Sequence, residues 1–284
     1  MGNVAFYVVN AFTTSPFKGN PAGVVLNADM LDEDTMQHIA RELKCSETAF
    51  VMESEHADIR LRYFSPKKEV ELCGHATIAT FHTLAEGGFI RKKELLMETA
   101  AGILEIEILG RSVFMEQARP VFRDVDVEKK EVAEALGIEE HELGDLPVEA
   151  VSTGLFSLNI HVKTLETVQK MTPDFERVKE LCKKTGVGAL FIFTFETVCE
   201  DCLVHSRCFA PLYGVNEDPV TGTANGALGA YLKKHGLLHH PQYRAEQGFE
   251  MGRDGIIIVE AGERIRVGGE ARTVMRGRIS YPLR

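Results

Sequence analysis

Three residues that could do chemistry stand together in ELCGHATIATF, residues 71–81. Cys73 could act as a nucleophile or base, and Cys73 with His75 could hold a metal ion. Gly74 could begin a helix whose backbone N–H groups bind an anion. The residues that follow are small or apolar nearly all round, which is typical of a buried helix. The segment therefore predicts a chemically active helix start, with its ligand left open.

This helix start has a counterpart late in the chain, because the sequence repeats itself in order. RYFSP is matched by RCFAP, and LCGHA is matched by VTGTA. Backbone N–H groups and the positive end of the helix dipole favour an anion at Gly74-His75 and again at Gly222-Thr223. If a twofold axis relates the repeats, the two starts are expected to face each other across a cleft between two lobes. The predicted occupant is a small anionic molecule.

Each repeat also predicts the elements that position its helix start. In the first repeat, LDEDTMQHIARELK predicts a helix capped by Asp32 or Asp34, and ETAFVM and ADIRLRYFSP predict strands. In the second, TPDFERVKELCKKTG predicts a helix capped by Thr172 with Pro173 in its first turn. ALFIFTF and LVHSRCFAP predict strands there. The expected fold class is α+β, with two similar lobes related by a pseudo-twofold axis.

The repeats also predict the domain boundaries. Residues 1–118 are expected to form the N-terminal lobe and residues 119–272 the C-terminal lobe. The last stretch, ARTVMRGRISYPLR, alternates like a strand, and residues 273–284 are expected to return to the first lobe.

Composition excludes several classes of function. A formal net charge of −10 and a pI near 5.5 argue against nucleic acid as a partner, because phosphate neutralisation needs a basic surface. We expect no membrane partner, because no window reaches the apolar length that a bilayer requires, and the start does not read as a signal peptide. The six scattered cysteines suit a reducing cytoplasm better than a disulfide scaffold.

A metal site is the first alternative for the chemistry. Cys199, Cys202, His205 and Cys208 follow one another at a constant spacing of three, which resembles a ligand set. LVHSRCFAP, however, predicts a strand, in which residues three apart point to opposite faces. We therefore expect no metal and no cofactor.

A thiol mechanism is the second alternative, and a carboxylate mechanism is the third. The counterpart of Cys73 is Thr221, which cannot act as a base at neutral pH, so a symmetrical two-thiol racemase is excluded and a structural role for Cys73 is favoured. Glu47 stands where a helix gives way to a strand, and its partner region offers only Gly or Ala. Asp218 lies just ahead of the second helix start. An enclosed carboxyl group has a raised pKa, which suits it to give and take protons near neutrality.

The order of these motifs resembles the PhzF family, the phenazine-biosynthesis-like isomerases that share the diaminopimelate epimerase fold. The likeness covers nearly the whole chain, at VNAFTTSPFKGNPAGVVL, SETAFV, RYFSPKKEVELCGHATIAT, HSRCFAP and EDPVTGTANGALGAYL. It implies two lobes, each an antiparallel sheet or barrel around a central helix, and a homodimer. It also implies cofactor-independent chemistry in which one glutamate moves a proton between carbons.

The resemblance also implies roles for particular residues. Glu47 would be the general acid/base, assisted by His75 and Asp218. A substrate carboxylate would be bound by backbone and hydroxyl groups, and the cleft would be lined by an asparagine; these residues are Gly74, Gly222, Thr223 and Asn20. Two alternatives stay open: an epimerase or racemase of the same fold that uses Cys73, and a protein that binds a small molecule without converting it.

Overall fold

The structure is a computed structural model, and it describes residues 1–282. The chain divides into two compact units. The first unit contains Met1–Glu116 together with the chain from Gly268 onwards, and the second is Gln117–Val267. The domain boundaries expected from the sequence, residues 1–118 with 273–284 and residues 119–272, stay a prediction.

Strands and helices alternate along both units. The strands are β1 (Gly2–Ala11), β2 (Asn20–Val25), β3 (Glu47–Met52), β4 (Ile59–Phe64), β5 (Glu69–Val70), β6 (Glu94–Thr99), β7 (Gly102–Leu109), β8 (Ser112–Glu116), β9 (Val121–Asp124), β10 (Glu149–Ser152), β11 (Phe156–His161), β12 (Ala189–Thr194), β13 (Val204–Ala210), β14 (Val215–Asp218), β15 (Gln242–Gln247), β16 (Gly255–Ala261), β17 (Ile265–Gly269) and β18 (Ala271–Tyr281). The helices are α1 (Glu33–Leu43), α2 (Gly74–Glu86), α3 (Lys129–Leu136), α4 (Leu165–Lys170), α5 (Phe175–Thr185) and α6 (Gly222–Lys234).

The first unit has a mixed sheet that is mainly antiparallel. Strand β1 pairs with β18 on one side and with β2 on the other, both antiparallel. Parallel pairing of β2 with β3 and of β4 with β6 alternates with the antiparallel pairs β3–β4, β6–β7 and β7–β8. Strand β18 is the one that the alternation of the last stretch predicts. The final two residues of that stretch, 283 and 284, lie outside the described residues.

The second unit repeats this pairing. Strand β10 pairs with β9 and β11, β11 pairs parallel with β12, and β12 pairs antiparallel with β13. Strand β13 then pairs parallel with β15, and β15 pairs antiparallel with β16. Each step has its counterpart in the first unit, so the ordered sequence repeat corresponds to a repeated strand topology.

A buried helix packs on the sheet of each unit. Helix α2 contacts β1, β2, β3, β8 and β18, and α6 contacts β10, β11 and β16. Both helices bury small and apolar residues on almost every side, as their sequences predict. The α+β fold class is thus confirmed, with one central helix in each unit.

The peripheral helices α1 and α5 occupy equivalent places in the chain. Helix α1 connects the parallel strands β2 and β3, and α5 lies in the connection between the parallel strands β11 and β12. Asp32 caps α1, because its carboxylate accepts a hydrogen bond of 2.8 Å from the Thr35 N–H. The cap predicted for α5 at Thr172 is wrong. Asp174 caps that helix and accepts from two backbone N–H groups at 3.1 and 3.2 Å, because a carboxylate one residue after Pro173 reaches the first turn directly.

An arginine–glutamate pair ties the strand hairpin ahead of α2 together. Arg62 on β4 donates two hydrogen bonds of 2.7 Å to Glu69 on β5, and its guanidinium carbon lies 5.2 Å from the ring centroid of Phe64. A bidentate pair of this kind fixes orientation as well as charge. It holds the turn from which α2 begins.

The second unit contains the same device in a more buried form. Arg207 on β13 donates to both carboxylate oxygens of Glu217 on β14 at 2.8 and 2.9 Å. It also donates to the carbonyls of Val168 and Met171, which lie in and just after α4. All of these partners of Arg207 lie within the second unit.

Within residues 1–282, no helix is both long enough and apolar enough to cross a membrane.

Candidate active site

Glu47 lies at the first position of β3, where the chain leaves the loop after α1. Parallel pairing places Glu47 opposite Ala22 of β2, and the four residues that follow Glu47 in the strand, 48–51, are all buried. The Glu47 side chain is 24% exposed. A carboxylate at a strand end can thus be held by the sheet while one side of it stays open to solvent.

Two side chains at the start of α2 reach the Glu47 carboxylate. The Cys73 thiol donates to Glu47 Oε2 at 3.6 Å, and His75 Nε2 lies 3.5 Å from the same oxygen. Cys73 Sγ also lies 3.4 Å from His75 Nδ1. The structure therefore brings Glu47, Cys73 and His75 into one cluster, although 26 residues separate Glu47 from Cys73 in the chain.

The environment of Glu47 favours its protonated form. Burial raises the pKa of the carboxyl above its ordinary value of 4.5, and hydrogen bonds from Ser46 and Cys73 offset part of that effect. Desolvation penalises the charged form because the carboxylate loses water that the protein replaces only in part. Such a carboxyl can exchange a proton with a weak carbon acid more readily than an exposed glutamate can.

The start of α2 has neither a side-chain cap nor a crowded glycine among the described residues. The Cys73 side chain makes no capping hydrogen bond to the first turn within residues 1–282, and the first turn contains no acidic residue. A Cβ on Gly74 would meet only Met115 Cε, at an ordinary 3.7 Å. Packing within the unit therefore tolerates a side chain at Gly74. Gly74 itself is buried, and N–H groups at a helix start of this kind are the donors that bind anions in proteins.

The sequence analysis did not single out Ser46, which joins this cluster. Its hydroxyl lies 3.1 Å from His75 Nε2 and 3.5 Å from the carbonyl of Pro21. Asn20, the predicted lining residue, is buried and begins β2, beside that carbonyl. The position of Ser46 next to Glu47 was the only signal in the sequence, and alternation along a strand would have assigned it to the opposite face.

The second unit presents a helix start with different chemistry. Asp218, the last residue of β14, accepts a hydrogen bond of 2.5 Å from the Thr221 hydroxyl. Gln247 at the end of β15 donates to the Asp218 carbonyl at 2.9 Å and to the Thr221 hydroxyl at 3.1 Å. Its amide oxygen accepts from the Thr221 N–H and from the Asn225 amide. This network fixes Asp218 relative to the start of α6.

Gly222 and Thr223 are the first two residues of α6. The Thr223 carbonyl accepts a hydrogen bond of 3.1 Å from the Thr153 hydroxyl, which anchors the helix start to the strand layer. Gln247 is the residue that the sequence analysis missed in this unit. It follows the helix by more than ten residues, and no motif marks it.

A metal ion is the alternative occupant of the first cluster. Glu47, Cys73 and His75 each offer one ligand atom, and these atoms lie within 4.8 Å of one another. The positive end of the α2 dipole lies in the same place, however, and it favours an anion over a cation. The dipole of α2 therefore argues against a cation in this cluster.

Comparison with known proteins gives consistent matches. The family model described as "Phenazine biosynthesis-like protein" (PhzC-PhzF) matches residues 9–277. An uncharacterised isomerase of Bacillus subtilis, YfhB, is 42% identical over 278 residues, covering 95% of this chain and 94% of the relative. An uncharacterised isomerase of Clostridium acetobutylicum is 41% identical over 267 residues, covering 89% of this chain and 88% of the relative.

The matches extend to solved structures. The crystal structure of a phenazine biosynthesis protein of the PhzF family from Bacillus anthracis superimposes with a TM-score of 0.92 at 36% identity, and the alignment covers 99% of this chain and 100% of that one. Sequence and structure comparisons therefore point to the same family.

Proposed function

This chain belongs to the phenazine biosynthesis-like (PhzC-PhzF) family and is an isomerase, and from that premise we propose that Glu47 moves a proton between two carbons of a small carboxylate-bearing metabolite. One observation carries the proposal: a half-buried carboxyl of raised pKa stands within 3.6 Å of two side chains at the start of a buried helix. The proposed reaction needs no cofactor.

The first step is removal of a proton from a carbon of the substrate by the Glu47 carboxylate. The electron pair of the broken C–H bond delocalises into the neighbouring π system of the substrate. The substrate carboxylate binds at the start of α2, where backbone N–H groups and the helix dipole stabilise negative charge. The protonated Glu47 then returns its proton to a different carbon, so that atoms and charge balance and the double bond moves.

The raised pKa of Glu47 serves both steps. A carboxyl with an ordinary pKa holds a proton too weakly to return it efficiently near neutrality, whereas burial brings its proton affinity closer to that of the carbanionic intermediate. A partly exposed side chain can lose its hydration when the substrate enters, which would raise the pKa further.

His75 and Cys73 are assigned supporting roles. His75 Nε2 lies 3.1 Å from the Ser46 hydroxyl and 3.5 Å from Glu47, so the imidazole can orient the carboxylate or relay its proton. Cys73 donates a weak hydrogen bond to the carboxylate and packs at the helix start. The substrate contacts expected of Asn20, Gly222 and Thr223, like the homodimer and the cytoplasmic location, stay predictions.

Proton exchange with heavy water tests the proposal. The wild-type chain and Glu47→Gln are incubated in D₂O with a pool of small carboxylate metabolites, and mass spectrometry records deuterium entering each compound. We expect incorporation with wild type and a loss of about 10²- to 10⁴-fold in Glu47→Gln, the usual contribution of a general acid/base.

Glu53→Gln is the matched control. It removes the same charge from an exposed site shortly after β3, and it is expected to exchange at the wild-type rate. Equal exchange by wild type and Glu47→Gln would contradict the proposed role of Glu47. Thermal unfolding of each variant separates loss of chemistry from loss of fold.

A one-thiol epimerase is the second candidate, and the contacts of Cys73 favour it. Its sulfur lies 3.4 Å from His75 Nδ1, which is close enough for the imidazole to accept the thiol proton. This mechanism predicts that Cys73→Ser stops exchange while Glu47→Gln does not. The two candidates therefore give opposite orders of activity for the same pair of variants.

A further inference from the structure

A tight turn brings two cysteines together in the loop between β12 and β13. The Cys202 N–H donates to the Cys199 carbonyl at 3.0 Å, which closes the turn around residues 200 and 201. The sequence analysis assigned LVHSRCFAP, residues 203–211, to a strand, and its argument about spacing rested on that strand. Cys199 and Cys202 precede β13, which begins at Val204, so that argument does not apply to them.

A buried carboxylate faces the two thiols. Glu246 of β15 has a side chain with no exposed surface. One of its oxygens and the sulfurs of Cys199 and Cys202 all lie within 4.8 Å of one another. Its oxygens accept from the backbone N–H of Val198 at 2.6 Å and of Cys199 at 2.9 Å. The loop and the carboxylate are therefore held in a defined geometry.

His205 orients this carboxylate from the other side. Its Nδ1 lies 2.7 Å from Glu246 Oε1, and its Nε2 lies 2.9 Å from Glu250 Oε1. The Glu246 oxygen nearest the Cys199 N–H is a different one, Oε2, and the Cys199 thiol also hydrogen-bonds to this carboxylate. An imidazole that fixes a carboxylate in this way is the outer-shell arrangement that supports metal ligands.

We propose that Cys199, Cys202 and Glu246 bind a divalent cation that prefers sulfur ligands, such as Zn²⁺. Two cysteines separated by two residues on a turn are a recurrent zinc-binding arrangement, and a carboxylate is an accepted third ligand. Ligand bonds of about 2.3 Å in a tetrahedron place sulfurs about 3.8 Å apart. The two sulfurs lie within 4.8 Å of each other, so metal binding needs them to approach by no more than about 1 Å. Partly exposed Cys199 gives the ion an entry path, and water completes the coordination.

Cys208 does not belong to this site, although it continues the spacing of three. It lies on β13 and pairs with Asp218 of β14, where it is fully buried. The ligand set thus differs from the one that spacing alone indicates. Binding would tie the loop to β15 by a link that does not involve Glu47 or its neighbours.

Cadmium titration tests the proposal, because Cd–thiolate bonds absorb in the ultraviolet. The full-length chain is reduced with a phosphine, desalted and titrated with CdCl₂, and we expect one strong site. Cys199→Ser and Cys202→Ser should each weaken it at least as much as the roughly 10- to 100-fold loss that outer-shell substitutions cause. Cys73→Ser is the matched control and should bind as wild type does, because it alters the other Cys-containing cluster.

Thermal unfolding gives a second readout that is independent of absorption. Cd²⁺ or Zn²⁺ should raise the midpoint for wild type and for Cys73→Ser, and leave Cys199→Ser unchanged. Cys199 is partly exposed, so its replacement by serine is expected to leave the fold intact. The proposal is overturned if the reduced wild type shows no charge-transfer band, if the band survives in both Cys199→Ser and Cys202→Ser, or if Cys73→Ser alone removes it.

Discussion

The two units begin their central helices with the same backbone and with different side chains. In the first unit the residue before the helix glycine is Cys73, which contacts a partly exposed glutamate and a histidine. In the second unit it is Thr221, whose hydroxyl donates a hydrogen bond to Asp218 and accepts one from Gln247. One helix start therefore carries a thiol, a carboxyl and an imidazole in contact, and the other carries a network of hydrogen bonds among Asp218, Thr221 and Gln247.

Strand register shows how far the two units have diverged around this feature. Glu47 pairs with Ala22 in the first parallel pair, and Ala189 pairs with Ser157 in the equivalent pair of the second unit. Glu47 and Ala189 thus occupy the same position of the repeat. The proposed acid/base is present in one copy only, which is what a reaction with a single proton-transferring group requires.

The arginine–glutamate pairs of the two units have the same residue types but differ in burial. The side chains of Arg62 and Glu69 are 20% and 33% exposed, whereas those of Arg207 and Glu217 are 8% and 13% exposed. The same interaction is therefore a partly solvated tie in one unit and a buried one in the other. The same ion pair can therefore contribute to stability by amounts that differ several-fold between the two units, depending on how far it is buried.

The largest expected effect concerns the two acids that stand near the helix starts. Glu47→Gln should lower the deuterium exchange rate by about 10²- to 10⁴-fold, and Asp218→Asn should lower it less, because Asp218 is predicted to assist rather than to carry the proton. The exchange rate of the substrate found in heavy water measures both. A larger loss in Asp218→Asn than in Glu47→Gln would reverse the assignment.

The next effect compares the two arginines. Arg207→Met should lower the free energy of unfolding by about 3 to 5 kcal/mol, because it leaves Glu217 charged and buried. Arg62→Met should cost about 1 kcal/mol, since water can replace part of the lost interaction. Urea unfolding at neutral pH measures the difference, and similar costs for the two variants would mean that burial does not distinguish the pairs.

A smaller effect is expected at Thr221. Thr221→Val removes the hydroxyl that donates to Asp218 and accepts from Gln247, and leaving such groups unsatisfied costs about 1 to 3 kcal/mol. Thr221→Ser keeps the hydroxyl and should unfold close to wild type. If Thr221→Val and Thr221→Ser have equal stability, the hydrogen bonds of the Thr221 hydroxyl are not what fixes the start of α6.

The smallest effect is the pH dependence that Glu47 adds to stability. A carboxyl whose pKa is raised in the folded state binds its proton more tightly there, so its favourable contribution is complete below the unfolded value of 4.5. That contribution is lost as the pH rises through the folded pKa. Glu47→Gln should therefore match wild type at pH 4 and exceed its stability at pH 7, as measured by urea midpoints across this range. A constant gap, or a gap of the opposite sign at pH 7, would contradict the raised pKa.

Much of the fold could be predicted because it depends on local pattern. The strand ETAFVM corresponds to β3 and the buried character of α2 and α6 follows from their composition. The cap of α5 could not be predicted reliably, because Thr172 and Asp174 both have capping side chains and only the backbone path selects one. The start of β13 was predicted to within one residue, but the turn from Cys199 to Cys202 lies ahead of that strand, and its closing backbone hydrogen bond is visible only in the structure.

By itself, the sequence determined the repeat and the positions of the two helix starts, and it singled out Glu47 as the candidate general acid/base. Residue type and order along the chain carry that information. Only the tertiary structure decided that Glu47, Cys73, His75 and Ser46 contact one another, and that Glu246 faces Cys199 and Cys202. Contacts between distant segments depend on strand register and on burial, which also set the raised pKa of Glu47. Those quantities arise only when the sheets and helices pack.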